Sequence, residues 1–304
     1  MSERDFLSLL DFSIEELTYV IERSKVLRRK HEAGEIYQPL VGKTGALILQ
    51  MNSTRTRVAF EAGMSQMGGH TIWLNTTNSQ LGRGEPIDDM AKVLSEMVDI
   101  IMVRTLEQSV IETLANNSTI PVINAMSALL HPCQLLADIQ AFEELRGPIK
   151  DRTVAFIGDG YNMCHSYINA ARQWGFQLKI ACPEGYMPNP EILASTNNAE
   201  LVETPQEAVK GADLVVTDVW SSMGHEAEEA NRKAAFSPYQ VNEKLLDLAA
   251  KDTLFMHCLP AHRGEEVSET LLQDPRSVVF HEAGNRLHSQ KALMEFLLLG
   301  EVTA

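Results

Sequence analysis

The chain has 304 residues, 44% of them hydrophobic, which suits two domains with separate cores. A formal net charge of −15 argues against nucleic acid and anionic membrane as partners, since such a field attracts neither, although a local arginine cluster can still hold an anion. Cys133, Cys164, Cys182 and Cys258 are scattered without a C-x-x-C pair and indicate neither a disulfide framework nor a zinc knuckle. The start, Met1 to Phe6, has neither signal-peptide nor transit-peptide character, and no apolar run is long enough to span a bilayer, so a cytoplasmic location is expected.

Ser13-Ile14-Glu15-Glu16 reads as a capping box, and Leu17, Val20, Ile21 and Leu27 give residues 13 to 33 an apolar helical face for packing. The apolar run from Gly45 to Met51 reads as a strand entering Ser53-Thr54-Arg55-Thr56-Arg57, which opens a helical pattern through Met67. Unpaired backbone N–H groups and the positive end of the helix dipole meet there beside hydroxyls and two guanidinium groups, so the natural occupant is a phosphate. An ordinary N-cap with two surface arginines would look the same locally. Thr71-Ile72-Trp73-Leu74 reads as a short strand, and residues 75 to 86 as a polar loop long enough to have a task. A helix over 87 to 97, the strand Ile100 to Val103 ending at Arg104, a helix over 107 to 115 and a strand at Val122-Ile123 follow. This alternation specifies a parallel sheet with covered faces.

His131-Pro132-Cys133-Gln134 leads into a helix to about Leu145, and Gly147-Pro148 breaks it at the expected domain junction. A second series runs through a strand at 154 to 157, a helix from about Cys164 to Trp174, and strands at 178 to 182, 200 to 203 and 214 to 217. A long segment around Ser221 to Pro238 precedes a helix at 241 to 250, the strand Leu254-Phe255-Met256 and a short helix near 268 to 273. The strand Val278-Val279-Phe280 and a helix over about 288 to 299 close the series. The expected fold class is α/β, with two doubly wound parallel-sheet domains and the active site in the cleft between them. The domains are placed at 1–146 and 147–285, with a C-terminal helix of about 286–304 returning to the first. Ser53, Arg104, Asp218, His257 and Cys258 each fall at or just past the end of an apolar strand, where ligands of such folds bind.

Gly158-Asp159-Gly160 after a strand invites a dinucleotide reading, but Met163 stands where the G-x-G-x-x-G pattern needs glycine and no acidic residue ends the next strand at Ala181-Cys182. His131 and Gln134 place an imidazole and an amide at a helix start, where a capping role is the alternative. Asp218 and Ser222 place a carboxylate and a hydroxyl four residues apart, suited to gripping an amino group or to capping a turn. Cys258 is a thiol at a strand end or an inert buried cysteine. No spacing argues for a metal or for a Ser-His-Asp hydrolase.

Together these motifs resemble the aspartate and ornithine carbamoyltransferase family over essentially the whole chain. Ser53 to Arg57 and His131 to Gln134 are similar to its carbamoyl phosphate motifs; Asp218 to Gly224 and His257-Cys258-Leu259-Pro260 are similar to the motifs of its ornithine branch. The likeness continues in Gln80 to Glu85, Pro238 to Asn242 and Asn285-Arg286. The resemblance implies that Ser53, Thr54, Arg55 and Thr56 bind phosphate, with Gln80 entering from a neighbouring subunit of a homotrimer. It implies that Arg104, His131 and Gln134, within the motif that includes Pro132 and Cys133, hold the carbamoyl group with Thr56, and that Arg286 closes over it. Asn162, Asp218, Ser222 and Met223 would bind L-ornithine, and Cys258 and Leu259 would line the meeting point of the two substrates.

On this reading the substrates are carbamoyl phosphate and L-ornithine, and no metal or organic cofactor is needed. Fixed donors at Arg55, Arg104, His131 and Thr56 would stabilise the developing oxyanion and departing phosphate, while Asp218 and Cys258 would orient the amine or accept its proton. The chain departs from the family at Met51, Met90, Ala128, Tyr161 and Gly284, where lysine, threonine, an acidic residue, asparagine and glutamate are usual. Three alternatives stay open: a carbamoyltransferase for putrescine or another amine, a catalytically impaired carbamoyl-phosphate-binding paralogue, and a nicotinamide dehydrogenase.

Overall fold

The computed structural model describes residues 4–75, 84–221 and 229–302. Two compact units emerge, one of Met1–Gln140 with Gly284–Ala304 and one of Ala141–Ala283. Both are built on parallel sheets, as the alternating pattern specifies.

In the first unit, α1 (Ile14–Glu32) starts at the capping box: Ser13 Oγ accepts from Glu16 N at 3.3 Å and Glu16 Oε2 accepts from Ser13 N at 2.8 Å. Strands β1 (Thr44–Leu49), β2 (His70–Asn75), β3 (Ile100–Arg104) and β4 (Val122–Met126) lie in the order β2-β1-β3-β4. They alternate with α2 (Thr54–Gln66), α3 (Ile87–Ser95) and α4 (Gln108–Asn117), and α5 (Pro132–Arg146) follows. Alternate side chains of a strand face opposite sides. Ala46, Ile48, Ile101 and Val103 therefore join Met90 and Ala91 of α3 and Ile111 and Leu114 of α4 in one buried cluster. Gly45, of opposite parity, faces Met64 of α2, whose methyl would lie 3.1 Å from an added Cβ.

The second unit orders β5 (Thr153–Ile157), β6 (Gln177–Ala181), β7 (Ala199–Leu201), β8 (Leu214–Thr217) and β9 (Leu254–His257) as β7-β6-β5-β8-β9. Helices α6 (Asn162–Trp174), α7 (Pro190–Leu193), α8 (Pro205–Val209), α9 (Glu229–Phe236) and α10 (Glu243–Leu246) connect them, and α11 (Val279–Leu299) ends the fold. Ala155, Ile157, Val215 and Phe255 pack with α8 and α10 on one face; Phe156, of opposite parity, meets Tyr167 of α6 at 5.9 Å between rings.

The strand order of each sheet reverses once, between β1 and β3 and between β5 and β8, while every pair stays parallel. The crevice at the carboxyl ends of such a strand pair is where a wound sheet leaves room for ligands. The opposite, amino ends are clamped alike in the two sheets. Asp99 accepts from Thr44 N at 2.8 Å and pairs with Lys43 at 2.7 Å; Asp213 accepts from Thr153 N at 2.9 Å and pairs with Arg152 at 3.1 Å. Register is thereby fixed at the end that carries no candidate chemistry.

Several expected elements differ; the last helix, expected from about 288, already starts at Val279. Val278-Val279-Phe280 is not a strand: one backbone bond from Val278 N to Phe255 O, 3.0 Å, joins the segment to β9, and α11 begins at Val279. A three-residue apolar run carries no period that separates a strand from a buried helix start, and Val279 is buried while Phe280 is exposed. The helix expected at 241 to 250 is confined to Glu243–Leu246, and that near 268 to 273 is a single 3-10 turn, Leu271–Gln273.

Two glycines test this packing in opposite directions. A Cβ on Gly160 would lie 2.2 Å from Pro188 N, a backbone atom, so Gly160→Ala is expected to lower the unfolding free energy by about 3 kcal/mol. Gly284, exposed inside α11 with nothing within 4 Å of an added Cβ, predicts that Gly284→Ala raises it by about 1 kcal/mol. Urea unfolding of both variants checks the pair.

Candidate active site

At the switch point of the first sheet, β1 delivers Ser53 and β3 delivers Arg104. Ser53 has an extended backbone (φ −153°) and caps α2, its Oγ accepting from Thr56 N at 3.3 Å. The buried Arg104 guanidinium donates from one Nη to Ser53 Oγ and to Thr56 Oγ1, both at 3.2 Å. These bonds orient the guanidinium without neutralising it. Thr54 is exposed and Arg55 half-buried on the same first turn. Arg57, counted with them in the sequence, is engaged elsewhere: it pairs with Glu61 at 3.0 Å and stacks over Trp73 at 3.8 Å.

His131 stands just before α5 and is buried. Burial, reinforced by the charges of Arg286, Arg104 and Arg55, pushes its pKa well below the ordinary histidine value. The imidazole is therefore neutral and able to donate one hydrogen bond, and three guanidinium groups reach it electrostatically. Gln134 is held from both ends: its Nε2 donates to Asp138 at 2.9 Å and its Oε1 accepts from Arg286 at 2.6 Å. With its amide oxygen turned toward Arg286, Gln290 accepts from Nε at 2.9 Å and Nη2 at 2.8 Å. Pro132 is the first residue of α5, where its missing N–H is no loss. Cys133 is not brought into this group: its thiol faces Asn124 O at 3.3 Å, and burial pushes its pKa up to about 12. Ser53, Thr56, Arg55, Arg104, His131, Gln134 and Arg286 thus form one cationic, donor-rich set.

The second unit places Asp218 just past β8. Its Oδ1 accepts from Val219 N at 2.8 Å and from the Cys258 thiol at 3.1 Å, joining two motifs 40 residues apart. Leu259 takes a left-handed backbone (φ 55°), rare for its type, and its N–H donates to His257 Nδ1 at 2.8 Å. The other ring nitrogen of His257 bonds the buried Glu266 at 3.1 Å, so His257 is the Nε2–H tautomer. One potential ligand atom each from Asp218, His257 and Cys258 lie within 4.8 Å of one another, a grouping the spacing did not reveal. Both His257 nitrogens and the thiol are committed to the bonds just given, so the grouping is a hydrogen-bonded set. Asn162 is buried at the start of α6. Gln80, Ser222 and Met223 lie outside the described residues.

The sequence reading missed Asp159 and Arg232. Asp159 follows β5 and ion-pairs with Arg232 of α9. Burial raises the Asp159 carboxyl to about 7 against the pull of Arg232, and the nearby Asp218 charge adds to the rise. Gly160 is required because the backbone at Met187-Pro188 crosses it, with Gly160 N donating to Tyr186 O at 2.9 Å. That crossing, rather than a pyrophosphate, explains the glycine of the Gly158-Asp159-Gly160 run. The departures fall in varied settings: Met90 in the buried cluster under the first sheet, Met51 and Ala128 half-buried in loops, Tyr161 half-buried before α6, and Gly284 exposed.

Two wound parallel sheets, one with a guanidinium-lined cradle at its switch point and the other with paired carboxylates, define an α/β class built to bind small charged molecules. Residues 4–144 match the family model of the aspartate/ornithine carbamoyltransferase carbamoyl-P binding domain, and residues 150–297 that of the Asp/Orn binding domain. The chain belongs to the aspartate/ornithine carbamoyltransferase family. A Psychrobacter sp. (strain PRwf-1) protein named ornithine carbamoyltransferase is 55% identical over 303 residues, 99% of each chain. The crystal structure of ornithine carbamoyltransferase from Burkholderia thailandensis is 49% identical with a TM-score of 0.92, over 98% of this chain and 100% of that one. The ornithine carbamoyltransferase of Pyrococcus furiosus is 44% identical with a TM-score of 0.93, over 99% of each.

The neutral His131 makes a pH prediction. Its folded pKa lies below the unfolded value of about 6.5, so the unfolded chain binds the extra proton at low pH, and this group's contribution is lost as pH falls below about 6.5. Between pH 7 and pH 5 the loss is about 2 kcal/mol. His131→Gln is expected to remove that part of the acid decline, read by urea unfolding at the two pH values.

Proposed function

We propose that the protein transfers the carbamoyl group of carbamoyl phosphate to the δ-amino group of L-ornithine, giving L-citrulline and phosphate. The observation that carries this is the convergence of Arg55, Arg104 and Arg286 on the neutral His131 beside a capped helix start. Family membership and the names of the relatives support the choice of acceptor.

Ser53, Thr54, Arg55 and Thr56 take the phosphate at the positive, N-terminal end of α2. Arg104, His131 and Gln134 bind the carbamoyl group, and Arg286 extends the same donor set. The amine nitrogen attacks the carbonyl carbon, the C–N bond forms, and the oxygen becomes an oxyanion facing guanidinium and imidazole donors. Collapse breaks the carbon–oxygen bond to phosphate, which leaves with the electron pair. Asn162, Asp218, Ser222 and Met223 hold the amino acid, and Asp218 with Cys258 orients the amine and accepts its proton. Cys258 and Leu259 line the reacting end.

The protein works as a homotrimer in the cytoplasm, within arginine metabolism, with Gln80 supplied by a neighbouring subunit. The exposed apolar residues Ile72 and Trp73 on the edge strand β2, and Val58 on α2, support a partner surface there. Among the described residues no helix is long and apolar enough to cross a membrane.

The deciding experiment is citrulline formation by purified protein, with putrescine offered as the competing amine and Arg55→Ala as control. Turnover with ornithine, reduced at least about 100-fold in Arg55→Ala, is expected. Folded wild type that binds carbamoyl phosphate without turnover, or that prefers putrescine, would overturn the assignment.

A further inference from the structure

Arg232 sits in none of the motifs read from the sequence, yet its guanidinium is bonded and stacked at once. It is buried, it pairs with the Asp159 carboxylate, and its Nε donates to Trp220 O at 2.6 Å. Its Cζ lies 4.6 Å from the centre of the Tyr186 ring and 5.2 Å from that of Phe236, and the two ring centres are 4.7 Å apart. Asp159 leaves the end of β5 and Trp220 follows Asp218 at the end of β8, the two strands that flank the switch point. One cation therefore ties together the two strand exits that carry Asn162 and Asp218. The Met187-Pro188 backbone next to Tyr186 passes over Gly160, whose N–H donates to Tyr186 O at 2.9 Å. Asp218, beside that pair, accepts instead from Val219 N and from the Cys258 thiol.

We infer that Arg232, with Asp159, is a positioning residue for the amino-acid subsite: it fixes the exit of β8 so that Asp218 keeps an uncompensated carboxylate for a cationic amine. This deepens the proposed function and rests on it. A neutral side chain at Arg232 would release the Trp220 carbonyl and leave two carboxylates competing at the strand ends. Lysine would restore the charge but not both bonds, because an ammonium lacks the planar fork. The first unit, which binds carbamoyl phosphate, would be untouched.

Steady-state kinetics of Arg232→Gln, Arg232→Lys and Asp159→Asn, with both substrates varied, test this. Arg232→Gln is expected to raise the KM for ornithine at least about tenfold while the KM for carbamoyl phosphate stays within about twofold, and Arg232→Lys to fall between it and wild type. A folded Arg232→Gln with unchanged ornithine KM, or with kcat lowered and both KM values unchanged, would overturn the inference. Should Arg232→Gln fail to fold, Asp159→Asn, which leaves the Trp220 bond in place, is judged by the same split. Absence of citrulline formation by wild type would refute the proposed function instead. Calorimetric ornithine binding by wild type and Arg232→Gln then decides the positioning role, equal affinities or no binding to either overturning it.

Discussion

The buried guanidinium of Arg104, bonded to Ser53 Oγ and Thr56 Oγ1, is the interaction around which the donor set of the first unit is arranged. These two hydroxyl oxygens are neutral acceptors, so the bonds orient the guanidinium without contributing an opposite charge. His131 registers the cationic surroundings: together with burial, three arginines keep it neutral. A neutral imidazole next to guanidinium groups is a hydrogen-bond donor that does not compete with them for the anion. The helix start adds its own N–H groups, and the sheet order alone brings β1 and β3 side by side to assemble the set.

The second unit solves the opposite electrostatic problem with the same topology. Its switch point gathers carboxylates rather than guanidinium groups, and each is tied to a partner that limits its freedom: Asp218 to the Cys258 thiol, Asp159 to Arg232. His257 supports this by holding the Leu259 backbone on one ring nitrogen and Glu266 on the other. Buried polar networks of this kind are costly when incomplete and rigid when complete, which suits a surface that must present one carboxylate in one direction.

The five departures from the family pattern divide by setting. Met90 replaces a polar side chain with apolar volume inside a cluster that already holds Ile48, Ile101 and Val103, and so acts on packing. Gly284 removes a side chain from an exposed position of α11, at a cost in helix propensity. Tyr161 directly precedes Asn162 at the start of α6. Its phenol is pushed up in pKa by burial and by the Asp159 charge, which places it beside the Asp159–Arg232 pair.

By itself the sequence determined the elements and their order, because a 3.6-residue apolar period and short buried runs are local properties written in neighbouring residues. It also determined that Ser53, Arg104, Asp218 and Cys258 fall at or just past strand ends, and the motif resemblance placed Gln134 and Arg286, 152 residues apart, in one expected site, where the fold bonds them to each other. It misread Val278-Val279-Phe280, where three residues carry no period, and it set the two arginines of Ser53 to Arg57 alike, although Glu61 and Trp73 draw Arg57 aside. Only the tertiary structure decided which charges meet. Asp159 with Arg232, 73 residues apart, and His257 with Glu266 became visible because strand order and helix packing, not spacing in the chain, set distances across a sheet. The protonation of His131 was equally beyond the sequence, since burial and three remote guanidinium groups fix it, and both are properties of the folded chain alone.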